Sequence, residues 1–142
     1  MEEKILLIDD EAEFVETLAA RMRARKMTVT TATSAVEALG RDDVDAYDAI
    51  VLDLQMPGMD GLAALEEIKK RNPKLQVILL TGKATVEKGV KAMKMGAMDL
   101  LEKPADIEEL TEKIKEAGGR KMVLVKEASE NEIKEIIGSK SW

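Results

Sequence analysis

The chain has 142 residues, a net charge of −6 and neither cysteine nor histidine. The missing histidine excludes Ser/His and Cys/His catalysis and imidazole metal ligands, and the acidic balance argues against direct binding to nucleic acid. No apolar run reaches the length of a membrane span, and the first residues lack the layout of a signal peptide. The sequence therefore predicts a cytoplasmic protein without membrane contact.

Short apolar runs alternate with longer amphipathic stretches along the first 117 residues. This alternation favours a parallel sheet with helices on both faces. The apolar runs predict strands over 4–8, 27–32, 49–52, 75–80 and 97–101. The amphipathic stretches predict helices over 12–25, 34–40 (with Ser34 as N-cap), 61–71, 84–95 and 106–117.

The character of the sequence changes after Gly118-Gly119. The run "KMVLV" (121–125) predicts a sixth short strand, and Ser129 followed by Glu132 fits a capping box at the start of a short helix. We expect a domain over 1–117 and an extension over 118–142, which is too short for a second domain. One hypothesis is that residues 121–142, with Trp142, pack back on the domain or mediate a homodimer; a partly ordered extension is the alternative.

Polar side chains follow the predicted strands. Asp9 and Asp10 come after the first strand, Asp53 ends the third, Thr81 follows the fourth and Lys103 follows the fifth. Each alone could be a helix cap or a loop residue, but in an open parallel sheet these positions share one edge, where ligands bind. Clustered carboxylates repel one another without a cation, and oxygen ligands of this kind suit Mg²⁺.

A cation, an ammonium and a hydroxyl beside carboxylates suit a phosphoryl group. The nucleophile can then be a carboxylate. Asp53 is the central candidate, because the third strand is expected in the middle of the sheet. Pro57-Gly58 and Gly61 permit a tight turn after it.

Four motifs resemble the receiver domains of bacterial two-component response regulators. They are "ILLIDDE" (5–11), "VLDLQMPGMDG" (51–61), "LLTG" (79–82) and "LLEKP" (100–104), in the family's order and spacing. The resemblance covers about residues 3–117 and implies a flavodoxin-like α/β fold with five parallel strands in the order 2-1-3-4-5.

The resemblance also implies the roles of individual residues. Asp53 would be the phosphoacceptor, and Asp9 and Asp10 would hold Mg²⁺ (or Mn²⁺) together with Asp53 and the backbone carbonyl of Gln55. Thr81 and Lys103 would contact the phosphoryl group, and the peptide bond before Pro104 would be cis. Receivers usually carry an aromatic residue that swings inward together with the threonine; in this chain that position is Leu100. Gln55 and Lys83 occupy positions at which phosphoryl lifetime is tuned, although the favoured interpretation of Lys83 is a solvated lysine.

The function implied is Mg²⁺-dependent transfer of a phosphoryl group to Asp53 from a sensor histidine kinase or a histidine phosphotransfer protein. The result would be a switch in protein contacts through the fourth helix, fifth strand and fifth helix. Such a domain is a signalling module and catalyses only its own phosphorylation and dephosphorylation. The main hypothesis is a stand-alone receiver with an unknown downstream protein, in which the first helix near Phe14 and Val15 either docks a partner or belongs to the core.

Three alternatives remain open at this point. The chain could be a receiver fragment of a longer transcriptional regulator, because residues 81–104 read much like receivers that precede ATPase transcription activators. It could be a degenerate receiver that acts as a constitutive binding module. A phosphatase of the haloacid dehalogenase type is the third alternative, but it expects a second aspartate where this chain has Gln55.

Overall fold

Five strands and five helices alternate along the chain in the computed structural model, which describes residues 2–56, 60–82 and 86–139, without the side chains of residues 86, 138 and 139. The strands are β1 (Lys4–Ile8), β2 (Thr28–Ala32), β3 (Ala49–Asp53), β4 (Val77–Thr81) and β5 (Asp99–Glu102). The helices are α1 (Ala12–Ala24), α2 (Ala35–Leu39), α3 (Gly61–Arg71), α4 (Val86–Lys94) and α5 (Ile107–Ser139). A short 3₁₀ helix, Val44–Ala46, precedes β3 and was not predicted.

The strands form one parallel sheet in the order β2-β1-β3-β4-β5. The predicted fold class and strand order are therefore confirmed. Strand β3 lies in the middle, and its last residue, Asp53, pairs with Leu80 of β4. This register brings the ends of β3 and β4 to the same edge of the sheet.

The sheet has a hydrophobic core on each face because successive side chains of a strand point to opposite sides. Leu6 and Ile8 pack with α2, α3 and α4 on one face. Ile5 and Leu7 pack with α1 and the first part of α5 on the other. The unalternating apolar runs of the sequence are thus explained by burial on both faces.

Among the described residues, three helices begin at residues whose side chains cap them. Ser34 Oγ accepts a hydrogen bond from the Glu37 N–H at 3.1 Å, as the sequence predicted. Asp60 Oδ1 accepts one from the Ala63 N–H at 2.8 Å. Asp106 Oδ1 accepts a hydrogen bond from the Glu108 N–H at 2.8 Å at the start of α5. Such caps satisfy backbone donors that the first turn of a helix leaves without an intrahelical partner.

The largest correction concerns residues 118–139. They continue α5 as one 33-residue helix, so the predicted strand over 121–125 and the separate helix capped by Ser129 are wrong. The Lys121 ammonium donates to the Asp45 and Tyr47 carbonyls at 2.6 Å each, which directs the chain past the start of β3 and not along a sheet edge. Once its first half is docked, a helix adds further turns without a new nucleation step, and two glycines do not stop it.

The expectation that the extension packs back on the domain is also wrong for the described residues. Apart from the half-buried Ala128, the side chains over 122–137 are exposed. Trp142 lies outside the described residues. Within the described ranges, no helix is long and apolar enough to cross a bilayer.

Candidate functional site

The polar residues predicted at the strand ends do meet at one edge of the sheet. Asp9 follows β1, Asp53 and Thr81 are the last residues of β3 and β4, and Lys103 follows β5. The Lys103 N–H donates to the Thr81 carbonyl at 2.8 Å, which ties the end of β5 to the end of β4. Parallel strands carry all these side chains to the same side of the molecule.

Three carboxylates form the acidic part of this edge. Asp9, Asp10 and Asp53 each offer an oxygen, and these oxygens lie within 4.8 Å of one another. Asp9 and Asp53 are buried at 0% and 3% exposure, whereas Asp10 is exposed. The cluster thus combines an enclosed floor with one carboxylate open to solvent.

The Lys103 ammonium is the counter-charge of the cluster. Its Nζ lies 2.8 Å from Asp9 Oδ2, 3.3 Å from Asp53 Oδ2 and 3.3 Å from Glu11 Oε1. One ammonium near three carboxylates leaves a net negative charge even before Asp10 is counted. That charge favours the binding of a further cation.

Backbone groups fix how the two buried carboxylates point. Asp9 Oδ1 accepts from the Glu11 N–H at 3.0 Å, and Asp53 Oδ1 accepts from the Gln55 N–H at 3.1 Å. Asp9 Oδ2 is fully enclosed and receives no hydrogen bond of good geometry, although the Lys103 ammonium lies beside it. An enclosed oxygen of this kind fits a ligand of a hard cation such as Mg²⁺.

The electrostatics of Asp53 and Lys103 follow from this packing. Burial raises the pKa of Asp53 to about 6; the Gln55 N–H opposes the rise, the Asp9 carboxylate adds to it and Lys103 opposes it. Burial alone would lower the pKa of Lys103, but the adjacent carboxylates of Asp9, Asp53 and Glu11 outweigh it and raise that pKa. The lysine therefore stays charged, while Asp53 is held in a setting that disfavours its negative charge.

Thr81 is the last residue of β4, and Leu100 lies within the neighbouring strand β5. Thr81 is 4% exposed, and its hydroxyl donates to the Gly82 carbonyl at 3.0 Å. Leu100 pairs with Leu79 in the sheet and is partly buried against the core. A Cβ on Gly89 of α4 would overlap Leu100 Cδ2, so this glycine lets α4 lie directly against the leucine.

The turn after β3 depends on another close approach. The Gly61 N–H donates to the Leu54 carbonyl at 3.2 Å, and a Cβ on Gly61 would lie 2.5 Å from Leu54 Cα. This crowding explains the glycine that the sequence places at the start of α3. Pro57 and Gly58 of the same predicted turn lie outside the described residues.

The remaining predicted positions have mixed outcomes. The Gln55 side chain is exposed, and the peptide bond between Lys103 and Pro104 is cis, as the resemblance implies. Lys83 lies outside the described residues.

Sequence reasoning missed two neighbours of Lys103. Glu11 is the N-cap residue of α1 but makes no side-chain capping bond; its carboxylate contacts Lys103 instead. Phe14, which was expected to be core or a docking residue, is partly buried with the Lys103 Nζ 4.5 Å from its ring centre, in cation–π geometry. The sequence shows Glu11 directly after the two aspartates and Phe14 about one helical turn later, but only the fold brings Lys103 into contact with both.

Comparison with known proteins defines the class. Residues 5–115 match the family model of the response regulator receiver domain. The chain therefore belongs to the receiver family of two-component systems, a family of signalling domains, and its acidic pocket fits phosphorylation and Mg²⁺ binding. Family membership also decides against the haloacid dehalogenase alternative.

Curated relatives are longer transcriptional regulators. The chain is 36% identical over 113 residues to the transcriptional regulatory protein ZraR of Salmonella typhimurium, which covers 80% of this chain and 26% of ZraR. It is 37% identical over 103 residues to the DNA-binding transcriptional regulator NtrC of Klebsiella pneumoniae, which covers 72% of this chain and 22% of NtrC. The chain thus spans about a quarter of the length of these relatives.

Solved structures support the same assignment. A response regulator receiver domain protein from Clostridium thermocellum matches with a TM-score of 0.82 and 34% identity, over 86% of this chain and 98% of that one. NtrX from Brucella abortus, solved with ADP, matches with a TM-score of 0.79 and 32% identity, over 92% of this chain and 29% of that one.

Proposed function

We propose that Asp53 accepts a phosphoryl group from a phosphohistidine of a sensor kinase or phosphotransfer protein in an Mg²⁺-dependent reaction. The observation that carries this proposal is the buried Asp53 carboxylate at the end of the central strand, with the Lys103 ammonium 3.3 Å from its Oδ2. None of the 142 residues is histidine, so the donor comes from outside this sequence.

In the proposed transfer, an Asp53 oxygen forms the new O–P bond while the N–P bond of the phosphohistidine breaks. The electron pair of that bond goes to the imidazole nitrogen, which takes up a proton as the leaving group. Burial and the Asp9 carboxylate, which raise the pKa of Asp53, make its negative charge costly in the resting site. Transfer gives the charge to phosphoryl oxygens that the cationic groups of the site can contact.

Asp9, Asp10 and Asp53 are the residues proposed to hold Mg²⁺, with the backbone carbonyl of Gln55 as a further oxygen ligand. Bound Mg²⁺ (or Mn²⁺) would neutralise negative charge on the phosphoryl oxygens. The enclosed Asp9 Oδ2 and the grouping of three carboxylates within 4.8 Å support this assignment.

Lys103 and Thr81 are proposed to contact the phosphoryl group. Lys103 already lies beside Asp53 Oδ2, so it can follow the new group with a small movement. The Thr81 hydroxyl has to leave the Gly82 carbonyl, to which it now donates at 3.0 Å. Phosphorylation would therefore change one hydrogen bond at the end of β4.

The proposed output surface is formed by α4, β5 and the first part of α5. Leu100 lies in β5 directly against Gly89 of α4. A rotamer change of Leu100 after movement of Thr81 would therefore be felt first by α4. The switch is a shift between two populations, and the partner would bind the two states with different affinity. Gln55 and Lys83 are proposed to tune phosphoryl lifetime.

Incubation with acetyl phosphate and Mg²⁺, followed by intact mass measurement, tests the proposal. Wild type should gain one phosphoryl group, and Asp53→Asn should gain none. Asp42→Asn is the matched control, because it makes the same change at an exposed aspartate in the segment before β3, whereas Asp53 lies at the other end of that strand. A wild type that gains no phosphoryl group, or an Asp53→Asn variant that gains as much, contradicts the proposal and favours a constitutive binding module.

A second candidate function is the receiver part of a longer transcriptional regulator. The observation that favours it is the length difference, since the chain spans about a quarter of ZraR and NtrC. Under this candidate the same Asp53 chemistry would control a DNA-binding output that lies outside these 142 residues. The intact mass of the natural protein decides between the two: 15.6 kDa supports the stand-alone receiver, and a much larger mass supports the longer regulator.

A further inference from the structure

The distal segment, residues 118–139, continues α5 beyond the receiver body. The helix has 33 residues in all and is therefore about 50 Å long. Met122, Ile133 and Ile137 are 62%, 55% and 67% exposed. In most proteins helical stability comes from packing of an apolar face, and a helix with two adjacent glycines is marginal in water by itself. The distal segment thus has an apolar face that the receiver body does not cover.

The apolar face has an internal symmetry. At about 100° per residue, Met122, Val125, Ser129, Ile133 and Ile136 fall on one side of the helix. Met122 and Val125 lie seven and four residues before Ser129, and Ile133 and Ile136 lie four and seven residues after it. The apolar positions of the stripe are therefore placed symmetrically around a small central residue.

Val123 and Leu124 belong to a different side of the helix. They line an open groove of about 500 Å³ beside Gln76, at the base of the receiver body. This groove faces away from the stripe, so the two apolar surfaces are separate.

Charge along the distal segment changes from basic to acidic just before the centre of the stripe. Residues 118–126 contain three basic residues and no acid, whereas residues 127–139 contain four glutamates and one lysine. Two copies in parallel register would place like charges side by side. Two antiparallel copies would place the basic half of each beside the acidic half of the other.

We propose that the distal segment pairs with the same segment of a second copy of this chain, antiparallel, across a two-fold axis at Ser129. Met122 then meets Ile136 of the partner subunit, Val125 meets Ile133 of the partner subunit, and the two Ser129 side chains meet at the centre. A stripe that is palindromic in position and complementary in charge is what a self-complementary, two-fold interface requires. The paired region from 122 to 136 is about 21 Å long. This inference does not depend on phosphorylation of Asp53.

Cysteine cross-linking of the full chain tests the orientation, because the native chain has no cysteine. Under mild oxidation, a mixture of Val125→Cys and Ile133→Cys chains should give the mixed disulfide, identified by its mass, and Ser129→Cys should give a symmetric dimer. Val125→Cys alone should stay uncross-linked, because the two thiols would be about 12 Å apart along the axis. Asn131→Cys, on the opposite side of the helix, is the control that should not cross-link.

Sedimentation of the full chain across a range of concentrations tests the pairing itself. Wild type should show a monomer–dimer equilibrium, and Ile133→Glu should raise the dimer dissociation constant at least about tenfold by placing a charge in the apolar stripe. Asn131→Glu adds the same charge opposite the stripe and should leave the equilibrium close to wild type. A wild type that stays monomeric at every concentration overturns the proposal, as does a dimer in which Val125→Cys chains cross-link with themselves and not with Ile133→Cys.

Discussion

The acidic edge of the sheet, with Asp9, Asp53 and Lys103, and the distal segment differ in the contacts that hold their side chains. At the edge, Lys103 contacts Asp9 and Asp53, which lie far from it in sequence, and each carboxylate is also held by a backbone N–H. In the distal segment, the side chains over 122–137 are almost all exposed, and the helix depends on its own backbone hydrogen bonds. One regular helix, α5, is thus a fixed part of the core at one end and an open surface at the other.

We expect the greatest loss of stability from a substitution in the docked half of α5, and almost none from the same substitution in its open half. Ile114 is fully buried and Ile133 is 55% exposed on the same helix. We expect Ile114→Ala to lower the free energy of unfolding by about 3 kcal/mol, because it leaves a cavity in the core. Ile133→Ala should change it by less than about 0.5 kcal/mol in dilute solution, where the chain is monomeric. Urea unfolding measures both, and equal losses would contradict the division of α5 into a docked and an open half.

A second prediction compares two glycines. Gly61→Ala should destabilise the protein by about 2 kcal/mol, because the new Cβ meets the Leu54 backbone. Gly119→Ala should stabilise the distal segment by about 1 kcal/mol, because the residue is exposed in mid-helix and nothing lies within 4 Å of an added Cβ. Thermal unfolding reports the first change, and helical circular dichroism reports the second. A destabilising Gly119→Ala would show that the segment is not helical in solution.

The third prediction concerns the cost of clustered acids. Without divalent cations, Asp53→Asn should be about 1 kcal/mol more stable than wild type at pH 7, because burial opposes the negative charge of Asp53. Lys103 does not lose its counter-charge in this variant, since it keeps its ion pairs with Asp9 and Glu11.

Burial raises the pKa of Asp53 to about 6, whereas an unfolded aspartate titrates near about 3.9. As the pH falls, the folded chain therefore takes up the proton before the unfolded chain does. Wild type gains stability as the pH falls through about 6, so the difference in stability between Asp53→Asn and wild type should shrink. Melting temperatures between pH 5 and 8, with Asp42→Asn as the control, check this. Added Mg²⁺ should raise the melting temperature of wild type more than that of the variant, and an equal rise would argue against Asp53 as a metal ligand.

The smallest expected effect concerns the Phe14 ring beneath the Lys103 ammonium. Phe14→Leu should cost about 0.5–1 kcal/mol of stability through the lost cation–π contact, and Phe14→Tyr, which keeps the ring face, should cost less. A double-mutant cycle with Lys103→Met isolates the contact, since the coupling should vanish when the ammonium is absent. Strictly additive effects would mean that Phe14 acts only by filling space.

Much of the site could be predicted from the sequence because parallel strands place their carboxyl ends at one edge. Asp9, Asp53, Thr81 and Lys103 needed only correct strand positions to be brought together. The contacts of Glu11 and Phe14 with Lys103 could not be predicted in this way. Glu11 and Lys103 are 92 residues apart, and their meeting depends on how α1 packs beside the end of β5.

The amino-acid sequence was sufficient to predict the alternation of strands and helices, the burial of the sheet on both faces and the polar edge. These features follow from local periodicity and from the geometry of parallel strands. The conformation of residues 118–139 could be established only from the folded structure. The run "MVLV" has strand propensity, but a strand needs a partner along a sheet edge. The first half of α5 is docked through Leu110, Ile114 and Ala117, and such a helix needs only its own backbone hydrogen bonds to continue.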